Sequence, residues 1–350
     1  VHARPATRFD CTRMQCDCRM PRLNTCQPNR SLVIRVLAIL FLVNGSLQSQ
    51  ETDWARVGRA VMAAVEFSPD GKSLISASQD GVFRHAKRGD VPVKIGVGLD
   101  NVNVVAFSPR QDVLAIAGGS VGETGTIHLR SWPDLEEIYT YTGYRDVITD
   151  IVWLNEETIV AASADHSIGV LNVKHGTIQK KIEEHSGPVL TLALSPDGKL
   201  LCSAGVDQTI RVWDTSNWSL VRTLNNHLGT VHDLAFRPAR AAESTPTMLA
   251  SASEDETVRI WYPAIGRMVR IIRHPVAVTC TEFCPDGSML YSGSKDGCVR
   301  FLEGQRQAIA RTVDLESGWI MSLATSDTEV VAGTADGKIK TVCDHKNLER

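Results

Sequence analysis

Short apolar segments that end in a tight turn recur along most of the chain. They read VEFSPDG, VAFSPRQ, IVWLNEE, LALSPDG, LAFRPAR, TEFCPDG and LATSDTE. The aligned residues Ser68, Ser108, Leu154, Ser195, Arg237, Cys284 and Ser326 are separated by 40, 46, 41, 42, 47 and 42 positions. Pro-Asp-Gly favours a turn because Pro fixes φ and Gly tolerates positive φ. Each copy therefore predicts a strand and a turn, and the regular spacing predicts a repeat protein.

A second sequence motif follows most of these turns. It predicts an apolar strand, a turn centred on Asp and a third strand. Its copies are SASQDGVFRHAK, SAGVDQTIRVWD, SASEDETVRIWY, SGSKDGCVRFLE and AGTADGKIKTVC. A more variable fourth strand leads into the next copy. Seven such units predict an all-β fold, a seven-bladed β-propeller with four-stranded antiparallel blades. The predicted blades cover residues 59–98, 99–144, 145–185, 186–227, 228–274, 275–315 and 316–345, with blades 2, 3 and 7 degenerate.

The repeats resemble the WD40 family over about residues 59–345. Trp213-Asp214 matches the dipeptide that names the family, and Trp261-Tyr262 is a variant of it. His185, His227 and His274 stand where the family has its Gly-His element. The resemblance implies a ring closed by an N-terminal strand in the last blade. We therefore expect residues 52–58 to pair with 338–343, which would remove an open sheet edge.

The same resemblance implies a hydrogen-bonded tetrad of His, Ser, Asp and Trp in the well-preserved blades. The matching residues are His185, Ser203, Asp207 and Trp213; His227, Ser251, Asp255 and Trp261; and His274, Ser292 and Asp296, with Phe301 replacing the Trp. Such a network satisfies donors and acceptors that would be costly to bury alone. Asp80, Asp165 and Asp336 keep the turn without the full set, so their blades should be looser.

Several motifs could also indicate catalysis or ligand binding. A Ser-His-Asp set could be a hydrolase triad, but a triad has no reason to recur around a ring, and no G-x-S-x-G elbow is present. The Gly-rich GGSVGETG of blade 2 and ARAAESTPT of blade 5 are interpreted as loop insertions. We therefore predict no enzyme activity, no metal and no cofactor.

Function is then expected on a face of the ring. In WD40 proteins the usual partner surface lies on the loops that enter the first strand and join the second to the third. The equivalent candidates are Asn101, Asn103, Arg145, Asp146, Asp150, Thr230, His232, Asp233, Glu254, Lys295 and Trp319. We predict Trp319 to be an anchor for a partner. Asp150 and Asp233, each third in a first strand, are expected near the mouth of the central channel.

The N-terminus, residues 1–49, is predicted to be a leader ahead of a propeller at 50–350. Its apolar run at 36–43 follows several Arg residues and precedes NGSLQSQ, which is typical of a signal peptide and too short for a membrane span. A start at Met20 would make 1–19 an upstream over-read, and cleavage is expected after Ser49. The rival interpretation of the apolar run is a buried strand.

Charge and cysteines bear on partners and compartment. The leader holds seven Arg and two Asp, a net charge of +5, whereas the whole chain has a net charge of -3. The rest of the chain therefore has a net charge of about -8, which argues against nucleic acid as a partner. The spacing of Cys202, Cys280, Cys284, Cys298 and Cys343 predicts buried free thiols, which weakens the case for export.

The function predicted from the sequence is that of a non-catalytic scaffold for proteins or peptides, exported to a periplasmic or extracellular location. Two alternatives stay open: an enzyme or small-ligand or metal-binding protein that uses the central channel, and a cytoplasmic scaffold subunit whose leader is not a signal.

Overall fold

Four strands from each repeat form one antiparallel sheet. The structure is a computed structural model, and it describes residues 53–56, 60–239, 247–303 and 309–344. Within these ranges, 28 strands form seven four-stranded sheets, and a 3-10 helix covers Pro263–Ile265. The predicted all-β propeller is confirmed.

The strands occupy equivalent places in the seven sheets. The innermost strands are β2 (Met62–Phe67), β6 (Asn101–Phe107), β10 (Ile148–Asn155), β14 (Val189–Leu194), β18 (Val231–Phe236), β22 (Val278–Phe283) and β26 (Ile320–Thr325). The second strands are β3 (Leu74–Ser78), β7 (Val113–Ser120), β11 (Thr158–Ser163), β15 (Leu200–Gly205), β19 (Leu249–Ser253), β23 (Met289–Ser294) and β27 (Glu329–Thr334).

Two further strands complete each sheet toward the outside of the ring. The third strands are β4 (Gly81–His85), β8 (Thr124–Ser131), β12 (Ile168–Asn172), β16 (Ile210–Asp214), β20 (Thr257–Tyr262), β24 (Cys298–Glu303) and β28 (Lys338–Asp344). The outer strands are β5 (Val93–Ile95), β9 (Glu137–Tyr144), β13 (Thr177–Ile182), β17 (Leu220–Leu224), β21 (Arg267–Arg273), β25 (Ile309–Asp314) and β1 (Asp53–Arg56).

The Ser-Pro-Asp-Gly turns join the first strand of a blade to the second. In blade 1 the Ser68 hydroxyl donates to Asp70 at 2.7 Å and accepts the backbone N–H of Ser73 at 2.9 Å. Gly71 has φ of 65°, a conformation that a side chain would strain. The turn is therefore set by its own residues, which is why it could be predicted locally.

The core lies between neighbouring blades as well as within them. Inner strands contact the inner strands on both sides around the ring, and β26 contacts β2 to complete it. Trp213 of blade 4 is 1 % exposed and packs in one cluster with Val160 and Ile168 of blade 3. A large side chain from one blade thus fills space against the next, and it stabilises the ring by removing apolar surface from water.

Ring closure occurs as predicted. β1 pairs antiparallel with β28, with Ala55 opposite Ile339 and Arg56 opposite Lys338. The last sheet has the order β1-β28-β27-β26, so the N-terminal strand supplies its outer edge. Residues 52, 57 and 58 of the predicted pairing lie outside the described residues.

The Gly-rich segment of blade 2 differs from its prediction as a loop insertion. Gly118 and Gly119 lie in β7, and Thr124 and Gly125 lie in β8, so most of the segment forms a longer hairpin. A Cβ on Gly118 would lie 2.0 Å from the Asn101 carbonyl oxygen. The glycine therefore permits close approach of two strands. Most of the blade 5 insertion, 240–246, lies outside the described residues.

The predicted leader, residues 1–49 with its apolar run and four cysteines, also lies outside the described residues. In the part of the chain that the structure describes, no helix has the length and apolar character needed to cross a membrane.

Candidate functional site

Blade 4 brings together the four residues expected to form a tetrad. His185 lies 2.8 Å from Asp207 through Nδ1 and 2.7 Å from the Ser203 hydroxyl through Nε2. Trp213 donates its indole N–H to the same hydroxyl at 2.8 Å. Since the indole can only donate, Ser203 must donate to His185, and His185 donates to Asp207. The four groups are therefore satisfied by one continuous chain of hydrogen bonds.

Blade 5 repeats this arrangement and adds a cation. His227 lies 2.8 Å from Asp255 and 2.7 Å from Ser251, and Trp261 donates to Ser251 at 2.9 Å. The guanidinium of Arg259 donates to Asp255 at 3.1 Å. Burial acts to raise the pKa of Asp255, but hydrogen bonds from Thr257, His227 and the Leu228 amide outweigh it and hold the pKa at about 2. Asp255 is therefore ionised, and its carboxylate is the acceptor for several buried hydrogen-bond donors.

Blade 6 departs from the predicted set. His274 bonds Ser292 at 2.9 Å, but its Nδ1 lies 3.4 Å from the Ile272 carbonyl oxygen rather than beside Asp296. Asp296 instead receives the guanidinium of Arg300. In blades 4 and 5 the residue after the His donates its backbone N–H to the Asp. Here that residue is Pro275, which has no N–H, so the contact that draws the Asp toward the His is missing.

Blade 1 contains a buried polar pair that sequence reasoning missed. His85 occupies the end of the third strand, and its Nε2 lies 2.8 Å from the Ser76 hydroxyl. Burial lowers the pKa of His85 to about 4, so the ring is neutral near pH 7. The spacing could have predicted this pair, because His85 follows Ser76 by nine residues, as Phe301 follows Ser292.

The tetrads resemble catalytic triads in composition, but not in access. Ser203 and Ser251 are both 0 % exposed, and each hydroxyl lies between an indole N–H and a His ring. A nucleophile must reach its substrate. Neither of these two Ser-His-Asp sets therefore has a serine that a substrate could reach.

On the face bearing the turns between second and third strands, four predicted residues form a connected group, here called the Trp319 cluster: His232, Glu254, Lys295 and Trp319. Trp319 is 49 % exposed, and the Lys295 ammonium lies 4.7 Å from the centre of its ring system. Lys295 donates to both Glu254 oxygens at 2.7 Å, and His232 lies 2.7 Å from the same carboxylate. The cluster joins blades 5, 6 and 7 and holds the exposed indole in place.

The other predicted face residues fall into different environments. Asn103 donates to the Ile148 carbonyl of the next blade at 2.7 Å, and Asn101 donates to Gly119 at 3.3 Å. Asp146 accepts the Gly122 amide at 2.7 Å. Arg145 is exposed and Thr230 is half-buried. The structure thus brings together only part of the predicted face, and the rest of these side chains mainly support loops.

Comparison with known proteins places these repeats in a family. The sequence model of the family described as WD domain, G-beta repeat (WD40) matches residues 58–85, 176–214, 218–262 and 266–302. These matches include both complete tetrads and the predicted Trp-Asp dipeptide. The chain contains WD40 repeats.

Several curated WD40 relatives are similar to parts of this chain. Protein HIR1 of Mycosarcoma maydis is 23% identical over 69% of the chain and 24% of its own length. Small ribosomal subunit protein RACK1y of Oryza sativa is 32% identical over 41% of the chain and 43% of its length. WD repeat and HMG-box DNA-binding protein 1 of Xenopus laevis is 26% identical over 72% of the chain and 22% of its own length. The alignments thus cover less than half of each relative.

The central channel of this WD40 propeller contains more acidic residues than expected. A cavity of about 380 Å³ is lined by Glu66, Asp150, Asp233 and Glu282, contributed by blades 1, 3, 5 and 6. Asp150 accepts the Leu192 amide at 2.7 Å, and Asp233 accepts the Thr281 amide at 2.8 Å, so each ties its blade to the next. These two Asp residues are therefore channel residues with a structural role. Sequence reasoning missed both Glu residues.

The channel alternative for function stays a prediction. Burial raises the pKa of Asp150 to about 7 and of Asp233 to about 6, against opposing backbone hydrogen bonds. Burial, with Asp233 and Glu66 nearby, raises the pKa of Glu282 well above its ordinary value. Among the described residues, no three His, Cys, Asp or Glu side chains are grouped to hold a metal ion.

Replacing Glu66 with Gln is expected to change how stability depends on pH. Burial raises the Glu66 pKa from 4.5 to about 7, so the folded state favours the protonated form. The stability contributed by that proton is complete below pH 4.5 and is lost as pH rises to about 7. The variant should therefore gain stability relative to the parent across this window, by up to about 3 kcal/mol. Chemical unfolding from pH 4 to 8 measures the difference.

The exposed Glu123 on the β7–β8 turn provides a matched control. Its replacement by Gln should change the free energy of unfolding by the same amount at every pH. If the difference in free energy of unfolding between Glu66→Gln and the parent is also the same at every pH, the raised pKa of Glu66 is contradicted.

Proposed function

We propose that this chain is a non-catalytic scaffold that binds a protein or peptide partner through the Trp319 cluster. The observation that supports the proposal most directly is an exposed indole whose position is fixed by Lys295 and Glu254. Trp is prominent among residues that dominate binding energy, and an anchor that is already ordered loses less entropy on binding.

A second apolar side chain extends this surface. Leu228 is 82% exposed, although its backbone N–H is held by Asp255 at 3.1 Å. The next residue, Gly229, lies close enough to Glu254 that an added Cβ would be 3.1 Å from the Glu254 Cβ. An apolar side chain on a fixed backbone thus lies beside the cluster, and two anchors suit a peptide or protein surface better than a small polar ligand.

The charge of the chain favours protein over nucleic acid. The part after residue 49 carries about -8, whereas nucleic-acid binding depends on clustered Lys and Arg. One relative is named an HMG-box DNA-binding protein, but the chain spans only 22% of that relative. The name of that relative therefore does not extend DNA binding to this chain.

Two cellular compartments are candidates for this protein: outside the cell membrane after export, or inside the cell. The predicted export signal has no support from the relatives, and one relative is by name a ribosomal subunit protein. Cys202, Cys280, Cys284 and Cys298 are buried free thiols, as expected of a protein in a reducing compartment. These observations support the alternative of a scaffold subunit inside the cell. Mass spectrometry of the native N-terminus tests the choice, because a mature chain starting near Gln50 would instead support export.

Trp319→Ala is expected to weaken partner binding by roughly 30-fold or more, as for a hot-spot residue. Partners are first identified by crosslinking in cells, and affinity is then measured with the purified partner. Because Trp319 is half exposed, the variant should keep the melting temperature of the parent.

Ile265→Ala is the matched control for this test. Ile265 is 60% exposed on the turn between the third and fourth strands of blade 5, at the opposite ends of the strands from the β19–β20 turn. Its loss should leave affinity unchanged. Equal binding by the parent and both variants would contradict the proposed surface.

A further inference from the structure

The outer strand of blade 2 differs from its six counterparts. β9 has eight residues, whereas the other outer strands have between three and seven. Each of the others contains at least one Lys or Arg: Arg56, Lys94, Lys180, Arg222, Arg267 and Arg311 are examples. β9 reads EIYTYTGY and contains none. Basic residues on edge strands prevent edge-to-edge pairing, and β9 lacks this protection.

The single charged residue of β9 is neutralised within its own blade. The carboxylate of Glu137 lies 3.3 Å from the guanidinium of Arg130 on β8. The edge therefore presents no net charge that would repel an identical edge. By contrast, two copies of β21 would bring Arg267 of one copy opposite Arg273 of the other, and like charges directly opposite are destabilising.

The side chains and backbone of β9 suit pairing. Ile138 is 53% exposed and Tyr139 is 41% exposed, while Thr142 and Gly143 are also exposed. β8 pairs with the strand in regular register from Tyr139 to Thr142, and the register shifts at Ile138 and Gly143 on either side of this segment. Among the described residues, no other strand pairs with the far edge of β9. An edge rich in β-branched and aromatic residues, regular over its central part, is thus left open.

We propose that β9 pairs edge to edge with β9 of a second copy of this chain, forming a two-fold homodimer. A two-fold axis perpendicular to the sheet reverses the strand direction and keeps each side chain on its face. Centred on Thr140, it sets Tyr139 opposite Tyr141 of the second copy, Ile138 opposite Thr142, and Glu137 opposite Gly143. Aromatic pairs and apolar contact with Thr favour this register. The two blades would then form one continuous eight-stranded sheet.

The test is the mass of the full chain by light scattering over about a hundredfold range of concentration, because dimerisation follows mass action. The parent should pass from monomer to dimer. In the double variant Ile138→Lys with Thr142→Lys, each new lysine lies opposite another, and the dissociation constant should rise at least tenfold. In Ile138→Lys with Thr142→Glu, opposite charges face each other and the dimer should return.

Thr223→Lys, at an exposed position of the outer strand β17, is the matched control and should dimerise like the parent. Circular dichroism and melting temperature check that every variant is folded. A parent that stays monomeric at all concentrations overturns the proposal. So does a dimer that resists the double lysine variant, or a folded Lys/Glu variant that stays monomeric.

Discussion

Replacing Asp255 with Ala is expected to lower the free energy of unfolding by about 3–5 kcal/mol, the range for breaking a buried ion pair. The carboxylate accepts hydrogen bonds from His227, Arg259 and the Leu228 amide. His227 and Arg259 are 3 % and 8 % exposed, so water cannot replace the lost acceptor. The variant leaves a buried cation without its anion, and urea unfolding measures the loss.

Asp214→Ala is the control with the same change of side chain. Asp214 ends the Trp213-Asp214 dipeptide, but its carboxylate bonds only the Ser216 amide and hydroxyl at an exposed turn. A much smaller loss than for Asp255→Ala is expected, because solvent can replace these bonds. Similar losses in the two variants would mean that the blade 5 network does not carry the stability assigned to it.

The second large effect is expected at the closure of the ring. Glu329 is 8 % exposed, and its carboxylate accepts the Trp54 indole N–H at 3.4 Å and forms an ion pair with Arg88. These residues come from β1, the turn after β4 and the start of β27. Glu329→Ala removes the acceptor and leaves the guanidinium without this partner. We expect a loss of about 3 kcal/mol, because the pair is partly buried.

The location of the effect distinguishes closure from general stability. Hydrogen exchange should become faster in β1 and β28, where Ala55 pairs with Ile339, before it changes in blades 3 to 5. Glu156→Ala, which removes the surface pair with Arg110, should cost at most about 1 kcal/mol and leave β1 protected. Unchanged exchange in β1 after Glu329→Ala would refute the role of Glu329 in closure.

Local pattern was enough to predict the blades and their tetrads in blades 4 and 5. Ser203, Asp207 and Trp213 have the same spacing as their equivalents in blade 5, and antiparallel pairing of the second and third strands brings such residues together. The prediction was wrong for Asp296 because one nearby residue, Pro275, removes a donor. It also treated GGSVGETG as a loop, although its glycines allow the strands to continue.

Residues that meet across the ring could not be predicted in the same way. Glu66 and Glu282 occupy a position where other blades have Ala or Val, and nothing in either segment shows that both line one channel. The contact of Lys295 with Trp319 also depends on the angle between blades 6 and 7. Such contacts join residues from different repeats, so the spacing within one repeat contains no information about them.

The order of strands, the turns, the number of blades and the closing strand follow from the amino-acid sequence, because each depends on contacts within a repeat or on its count. The tertiary structure decided the rest: which carboxylates share the channel, which indole stays exposed and which outer strand is left uncharged at the rim. These depend on how seven unequal blades pack, since each blade buries one face against a neighbour with its own side chains.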